Sequence, residues 1–392
     1  MLSQRQLFLL NTAQTSDTPK SLEIESAEGV YLKDTSGKEY IDLVSGFAVS
    51  NIGHRHPKVI QAIKDQADKY LHVTVYGEYI QSPQVAFAEK LCSVLPHKLN
   101  CVYFVNSGAE ATEGAMKLAK RFTRRSQIIS CLNSYHGSTQ GALSLMGSEH
   151  YKQAYRPLLP GVSFIHFNLT GDLQHITENT AAVFLETIQG EAGVIVPEYE
   201  YMQALRRRCN ETGTLLVMDE IQTGFGRTGK LFGFEHFDIV PDILLLAKGM
   251  GGGMPIGAFI ADKTVMDSFK ENPILGHITT FGGHPVSCAA GLAALNVLLS
   301  ENITDSVVAK EKLFRDSLIH PRIKAVRGKG LLLALQLSTF EEVEHVSKAC
   351  MENGLIIDWF LHNETALRIA PPLVITESQI QEPCAIILKV LD

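Results

Sequence analysis

Lys248 opens the glycine-dense turn Ala247-Lys248-Gly249-Met250-Gly251-Gly252-Gly253, directly after the apolar run Ile243-Leu244-Leu245-Leu246. An amine at the end of a buried strand is partly stripped of water, which disfavours its charged form and makes it a better nucleophile toward a carbonyl. Upstream, Leu215-Leu216-Val217-Met218-Asp219 is a second apolar run, and it ends in a carboxylate. A strand that delivers an acid and a later strand that delivers a lysine are what pyridoxal phosphate requires. The acid keeps the pyridine nitrogen protonated, so the ring withdraws electrons, and the lysine holds the aldehyde as a Schiff base. A lone lysine beside glycines is more simply a solvated residue at a sharp turn; the acid-bearing strand reverses that reading.

Three further segments carry suitable chemistry. Ser107-Gly108-Ala109 precedes a helical pattern, where free amides and small side chains form an anion cradle. The plain alternative is that Ser107 merely caps the helix. The GxxxxGK[ST] and GxGxxG spacings of nucleotide sites are absent from this segment. Tyr135-His136-Gly137 lies just past a strand ending at Cys131, where an aromatic ring could lie flat against a cofactor or be a surface-loop residue. Thr279 and Thr280 sit in a glycine-rich loop before a long helix and by themselves signal only a helix entry.

The elements that must position these groups form an α/β pattern. Strand candidates at 102–105, 127–131, 162–166, 181–186, 215–219, 243–247 and 256–261 alternate with helix candidates such as 109–121 and 199–210. This predicts a mostly parallel sheet covered by helices, with functional groups gathered at the carboxyl ends of strands, where Glu186, Asp219 and Lys248 fall. Residues 46–285 are expected to form this large domain. Beyond it, 286–392 read as a smaller α+β domain: after a long helix at 285–299 come helices at 306–318 and 339–353, strands near 330–337, 355–359 and 367–369, and a final helix. Residues 1–45 hold a β-hairpin signal with its turn at 34–38, expected to pack on the small domain or on a partner subunit.

Composition narrows the function classes. With 392 residues, 45% hydrophobic, the chain can bury a large core; a net charge of -7 and no long basic run argue against nucleic acid as the main partner. No apolar stretch reaches spanning length and the first ten residues are too short and polar for a secretory signal, so a cytoplasmic location is expected and no membrane partner. Seven scattered cysteines, without a CxxC pair or histidines at zinc spacing, fit reduced packing residues and no metal.

Taken together, the motifs NSGAEA at 106, SYHG at 134, ETIQGEAG at 186, MDEIQTGFGRTG at 218, AKGMGGGMPIGA at 247, TTFGGHP at 279 and LRIAPPLVIT at 367 resemble the class III pyridoxal phosphate aminotransferases. These are the fold type I group that includes acetylornithine and ornithine aminotransferases. The resemblance runs from the hairpin near Tyr31 to Arg368. It implies that Lys248 is the lysine joined to the cofactor and Asp219 the partner of its ring nitrogen. Tyr135 and Ile221 would pack on the two ring faces, Gln222 would reach the phenolic oxygen, and Gly108 and Ala109 would hold the phosphate. Ser107, His136 and Glu186 belong to the same implied cofactor site. Thr280 resembles the threonine that completes the phosphate site from the neighbouring subunit, implying a homodimer with shared active sites. Arg368 resembles the carboxylate-binding arginine and Glu191 the acid that covers it; the structural alternative is a plain ion pair. Ser138 and Thr279 fall on the substrate side.

The pattern departs from the acetylornithine and ornithine enzymes at Ser138, where they carry an arginine that grips a distal carboxylate through paired hydrogen bonds. His284 likewise stands where asparagine is more usual. Tyr-His-Gly-Ser occurs in other ω-aminotransferases and in β-amino acid enzymes, so the substrate expectation divides. The expected activity moves an amino group from an ω-amine or amino acid to a 2-oxo acid such as 2-oxoglutarate or pyruvate. Rival readings are an aminomutase or decarboxylase on the same scaffold, and a non-catalytic binding module, against which intact Lys248 and Asp219 argue.

Overall fold

The computed structural model describes residues 2–392. Its strands are β1 (Ile24–Glu28), β2 (Tyr31–Asp34), β3 (Glu39–Asp42), β4 (Cys101–Val105), β5 (Gln127–Cys131), β6 (Val162–Ile165), β7 (Thr180–Glu186), β8 (Leu215–Asp219), β9 (Ile243–Leu246), β10 (Gly257–Ala261), β11 (Ala325–Lys329), β12 (Leu332–Gln336), β13 (Leu355–Ile356), β14 (Asp358–Trp359) and β15 (Ala366–Ile369). They make three sheets.

The central sheet has the order β4-β10-β9-β8-β7-β5-β6. Strands β5 to β9 run parallel to one another, whereas β10 is antiparallel to both β4 and β9. The side-chain period of two divides the apolar runs between two core layers. Phe184, Val217, Leu245 and Phe259 face one layer, and Leu185, Met218, Leu244 and Leu246 face the other. Every residue of β7, β8 and β9 is buried, as expected for strands covered on both faces.

Helix Gly108–Thr123 covers the first layer because its buried Ala111, Ala115, Leu118 and Ala119 fall on one helical face. Gly114 sets how closely it approaches β10: a Cβ there would lie 2.2 Å from the Phe259 ring. Helix Tyr199–Thr212 stops at Gly213, which takes a left-handed C-cap conformation.

The hairpin turns at 34–38 as the sequence predicts, with Lys38 O accepting from Asp34 N at 3.0 Å. Strand β3 also pairs in parallel with β13, so chain ends more than 300 residues apart share one sheet. The third sheet, β11-β12-β15-β14, is wholly antiparallel and carries Arg368 on β15 between Ala334 and Asp358. Its inner residues Leu333, Leu335 and Leu367 join the same apolar core as the second layer of the central sheet. Strand β11 was not anticipated: its Ala325-Val-Arg-Gly-Lys lacks alternation and it lies at a sheet edge. Helices Pro57–Ala67 and Ser82–Val94 were missed as well, although both begin with proline in the first turn. Among the described residues no single helix is long and apolar enough to cross a membrane.

Candidate active site

Asp219 ends β8, Lys248 follows β9 after the single residue Ala247, and both line one cavity of 480 Å³. Lys248 is half-buried and begins a short 3-10 turn with a left-handed backbone, φ 48°. Such a conformation is uncommon for a residue with a Cβ and marks over-determined sites. Burial pulls its ammonium down to about 8, against the opposing pull of the Glu191 carboxylate. A substantial fraction is therefore neutral amine near pH 8.

Asp219 is held on both oxygens. Oδ1 accepts from Ile221 N at 3.0 Å and Oδ2 lies 2.7 Å from His136 Nδ1. Burial alone would favour neutral His136, but the hydrogen bond and charge of Asp219 win and raise its pKa. Glu186 stands opposite Asp219 across the β7–β8 ladder and accepts from Tyr135 N at 3.0 Å and Gly190 N at 2.9 Å. Burial pushes this carboxyl up to about 7, so the two acids need not both be charged. Glu186 thus anchors the backbone of the residue whose ring lines the cavity.

The helix start shows a plain cap. Ser107 Oγ accepts from Glu110 N at 3.2 Å, an ordinary N-cap. The N–H groups of Gly108 and Ala109 have no acceptor within the helix and sit on the cavity wall. Two close approaches shape this corner. A Cβ on Gly108 would come within 2.7 Å of Ile221 Cδ1, and one on Gly137, whose φ is +123°, within 2.6 Å of Ala109 Cβ. The aromatic loop and the acid loop are therefore pressed against the helix terminus, with Tyr135 and Ile221 both facing the cavity. Free amides at a positive helix end, paired with a held carboxylate and a partly neutral amine in one cavity, fit a phosphorylated pyridine aldehyde.

The outer side is built from side chains distant in sequence. Arg368 Nη2 donates to both oxygens of Glu191, at 3.0 and 2.8 Å, and Gln222 Nε2 donates to Glu191 Oε1 at 2.9 Å. Gln222 lines the cavity; Glu191 and Arg368 lie behind it. Arg368 is 1% exposed, so this is no solvated surface pair. Burial would raise the Glu191 pKa, but the Arg368 guanidinium overrides it and holds the carboxyl down at about 2. Ser138 is exposed, with its hydroxyl 3.2 Å from Tyr135 OH.

Two expected residues fall elsewhere. Thr279 Oγ1 accepts from Asn106 Nδ2 and Gly282 N, both at 3.2 Å, and lines a separate shallow groove. Thr280 is exposed and borders no part of the 480 Å³ cavity within the single chain.

Sequence reasoning passed over other residues. Glu220, next to Asp219 but fully buried, accepts from Thr187 Oγ1, Thr223 Oγ1, Gly233 N and Phe234 N and so fixes the loop after β8. Its place beside an end-of-strand acid was the only signal. Arg227 is also fully buried and donates to Asn51 Oδ1, Leu331 O and Pro371 O at 2.5 to 2.9 Å, linking three distant segments. Residues Ser45, Gly46, Phe47 and Ala48 all have positive φ. For the three non-glycine residues this costs about 1–2 kcal/mol each, and no residue pattern announces it.

Comparisons with known proteins show the family. The model of the family described as aminotransferase class-III matches residues 12–391. An acetylornithine aminotransferase of Caldanaerobacter subterraneus subsp. tengcongensis is 41% identical over 379 residues, 93% of each chain. The ornithine aminotransferase of Toxoplasma gondii superposes with a TM-score of 0.91 at 31% identity, covering 99% of this chain and 95% of that one. An (S)-enantioselective omega-transaminase from Thermomicrobium roseum gives 0.91 at 26% identity, covering 98% and 96%. The chain belongs to the class III aminotransferases, enzymes of fold type I that work with pyridoxal phosphate.

Proposed function

We propose that this aminotransferase moves an amino group from an ω-amine or amino acid, of the ornithine or acetylornithine kind, to a 2-oxo acid such as 2-oxoglutarate or pyruvate. The observation that carries the reading is the pairing of Lys248 and Asp219 on one cavity, backed by the buried Arg368–Glu191 pair. When bound, pyridoxal phosphate supplies an aldehyde that takes up the amino group and a protonated ring that accepts the electrons freed at the substrate carbon. Gly108 and Ala109 would hold its phosphate through their amides, with Ser107 setting the helix start. Tyr135 and Ile221 would pack on its faces, and Gln222 would reach its phenolic oxygen.

Asp219, held by His136 Nδ1 on one oxygen and by Ile221 N on the other, would pair with the ring nitrogen and favour its protonated form. Lys248 Nζ removes the proton from the amine-bearing carbon of the substrate and passes it on, a role suited to an amine near pH 8. Arg368 orients the α-carboxylate of the 2-oxo acid. Glu191 neutralises that arginine while the donor, which offers no carboxylate there, is in place. The exposed Thr280 fits a second copy of the chain, so the working unit is a homodimer with Thr280 completing the partner's phosphate site.

Ser138 favours a second reading of the donor. A serine hydrogen-bonded to Tyr135 OH cannot grip a distal carboxylate in the bidentate manner of arginine. Donors without that carboxylate, as for an ω- or β-amino acid transaminase, suit it better. A panel of amines assayed against pyruvate and 2-oxoglutarate separates the two, and Ser138→Arg should shift use toward ornithine and 2-oxoglutarate. If no donor transfers nitrogen to either acceptor, or product forms without any 2-oxo acid, an aminomutase or decarboxylase replaces this proposal.

A further inference from the structure

The strained segment at residues 45–48 lies against the substrate side of the site. Ser45, Gly46, Phe47 and Ala48 have φ of 47°, 62°, 63° and 64°. Helix-type bonds close the turn, Ala48 N to Val44 O at 3.1 Å and Val49 N to Ser45 O at 2.8 Å. L-residues avoid this hand, so it persists only where the surroundings over-determine it. Asp42 supplies that constraint. Its Oδ1 accepts from Val44 N and Ser45 N, both at 2.8 Å, and its Oδ2 lies 2.8 Å from His54 Nε2. On the other side the turn is tied to the segment following Arg368: Ser45 Oγ donates to Ala370 O, and Ala370 N donates to Leu43 O at 2.7 Å.

The turn puts the Phe47 ring, 45% exposed, over a fully buried cation. The Arg368 guanidinium carbon lies 5.0 Å from the Phe47 centroid and 4.4 Å from that of Phe360. A strained backbone that spends its conformation on holding a large ring half in solvent gains no core packing from it. What it does secure is the guanidinium: among the described residues its only ionic partner is Glu191 and its Nε has no hydrogen-bond partner. When Glu191 leaves, the rings remain.

We propose that Asp42 is a positioning residue for Arg368: by capping the left-handed turn it holds Phe47 on the guanidinium, so the arginine keeps its aim while Glu191 gives way to a substrate carboxylate. This rests on Arg368 being the carboxylate-binding group. An aspartate that merely completes the hairpin exit would affect stability and leave substrate affinity alone.

The test compares the holoenzyme with Asp42→Ala, Phe47→Leu, Phe47→Tyr and Arg368→Ala, measuring kcat and KM for 2-oxoglutarate and for pyruvate. Asp42→Ala should raise KM for the 2-oxo acid about tenfold, with kcat within about twofold and the absorbance of bound cofactor unchanged. Phe47→Leu, at a half-exposed position where folding is not at stake, should raise KM about threefold, and Phe47→Tyr should restore it. In an Arg368→Ala background neither change should raise KM further. If Arg368→Ala raises KM but Phe47→Leu and every folded Asp42 variant leave it unchanged, the proposal is overturned and the arginine's role stands. If Arg368→Ala itself leaves KM unchanged, both fall.

Discussion

The cofactor half and the substrate half of this site are built by different means. Around Lys248 and Asp219 the positions follow from backbone: two adjacent strands end side by side, a helix begins beside them, and glycines at 108 and 137 allow loops to close within van der Waals contact. Around Arg368 the positions follow from side chains, with Glu191, Gln222 and Phe47 converging from segments far apart in the chain. A backbone-built site tolerates few substitutions because the main chain itself must move. A side-chain-built site can be retuned one residue at a time.

That contrast can be broken by experiment. Asp219→Ala should lower turnover by about a thousandfold, within the range that positioned proton chemistry supplies, with cofactor affinity falling too. A loss of less than about tenfold would remove the electrostatic half of the site. Glu191→Ala should destabilise the protein by about 3–5 kcal/mol in a denaturant titration, because it strands a buried guanidinium. An unchanged midpoint would mean that the outer pair is hydrated after all. The pH dependence of cofactor uptake by the apoprotein separates the halves further. Lys248 must be neutral to attack, and its pKa lies near 8. The uptake rate should therefore rise roughly tenfold per pH unit below that value and level off above it. A flat profile would show an amine that is already neutral, or a step limited elsewhere. The smallest expected change is in Ser138→Arg, a few-fold shift in kcat/KM toward 2-oxoglutarate with the absorbance of bound cofactor unaltered.

Legibility in the sequence follows the same division. The strands ending at Glu186 and Asp219 end where the apolar runs do, because a strand covered on both faces is mostly apolar and its first charged residue marks the exit. Ile221 and Gln222 follow the Asp219 exit, Tyr135 follows β5 and Gly108 follows β4, and all four line the cavity. Direction was harder: nothing in Gly257–Ala261 distinguishes an antiparallel strand from a parallel one, and it runs opposite to its neighbours. Phe47 was invisible for another reason. Its position depends on the caps from Asp42 and on contact with a strand more than 300 residues away, and neither leaves a periodic trace. Thr280 could be named from its motif alone, but one chain holds it exposed and away from the cavity.

The most direct measurement is the visible absorbance of the purified protein with pyridoxal phosphate, in the wild type and in Lys248→Ala. The wild type should show the band of cofactor covalently held on its amine, reversibly bleached by an amino donor and restored by a 2-oxo acid, and the variant should show only free or loosely bound cofactor with no turnover. The same band in Lys248→Ala would mean that another amine holds the cofactor, and the placement of the chemistry between Lys248 and Asp219 would be wrong.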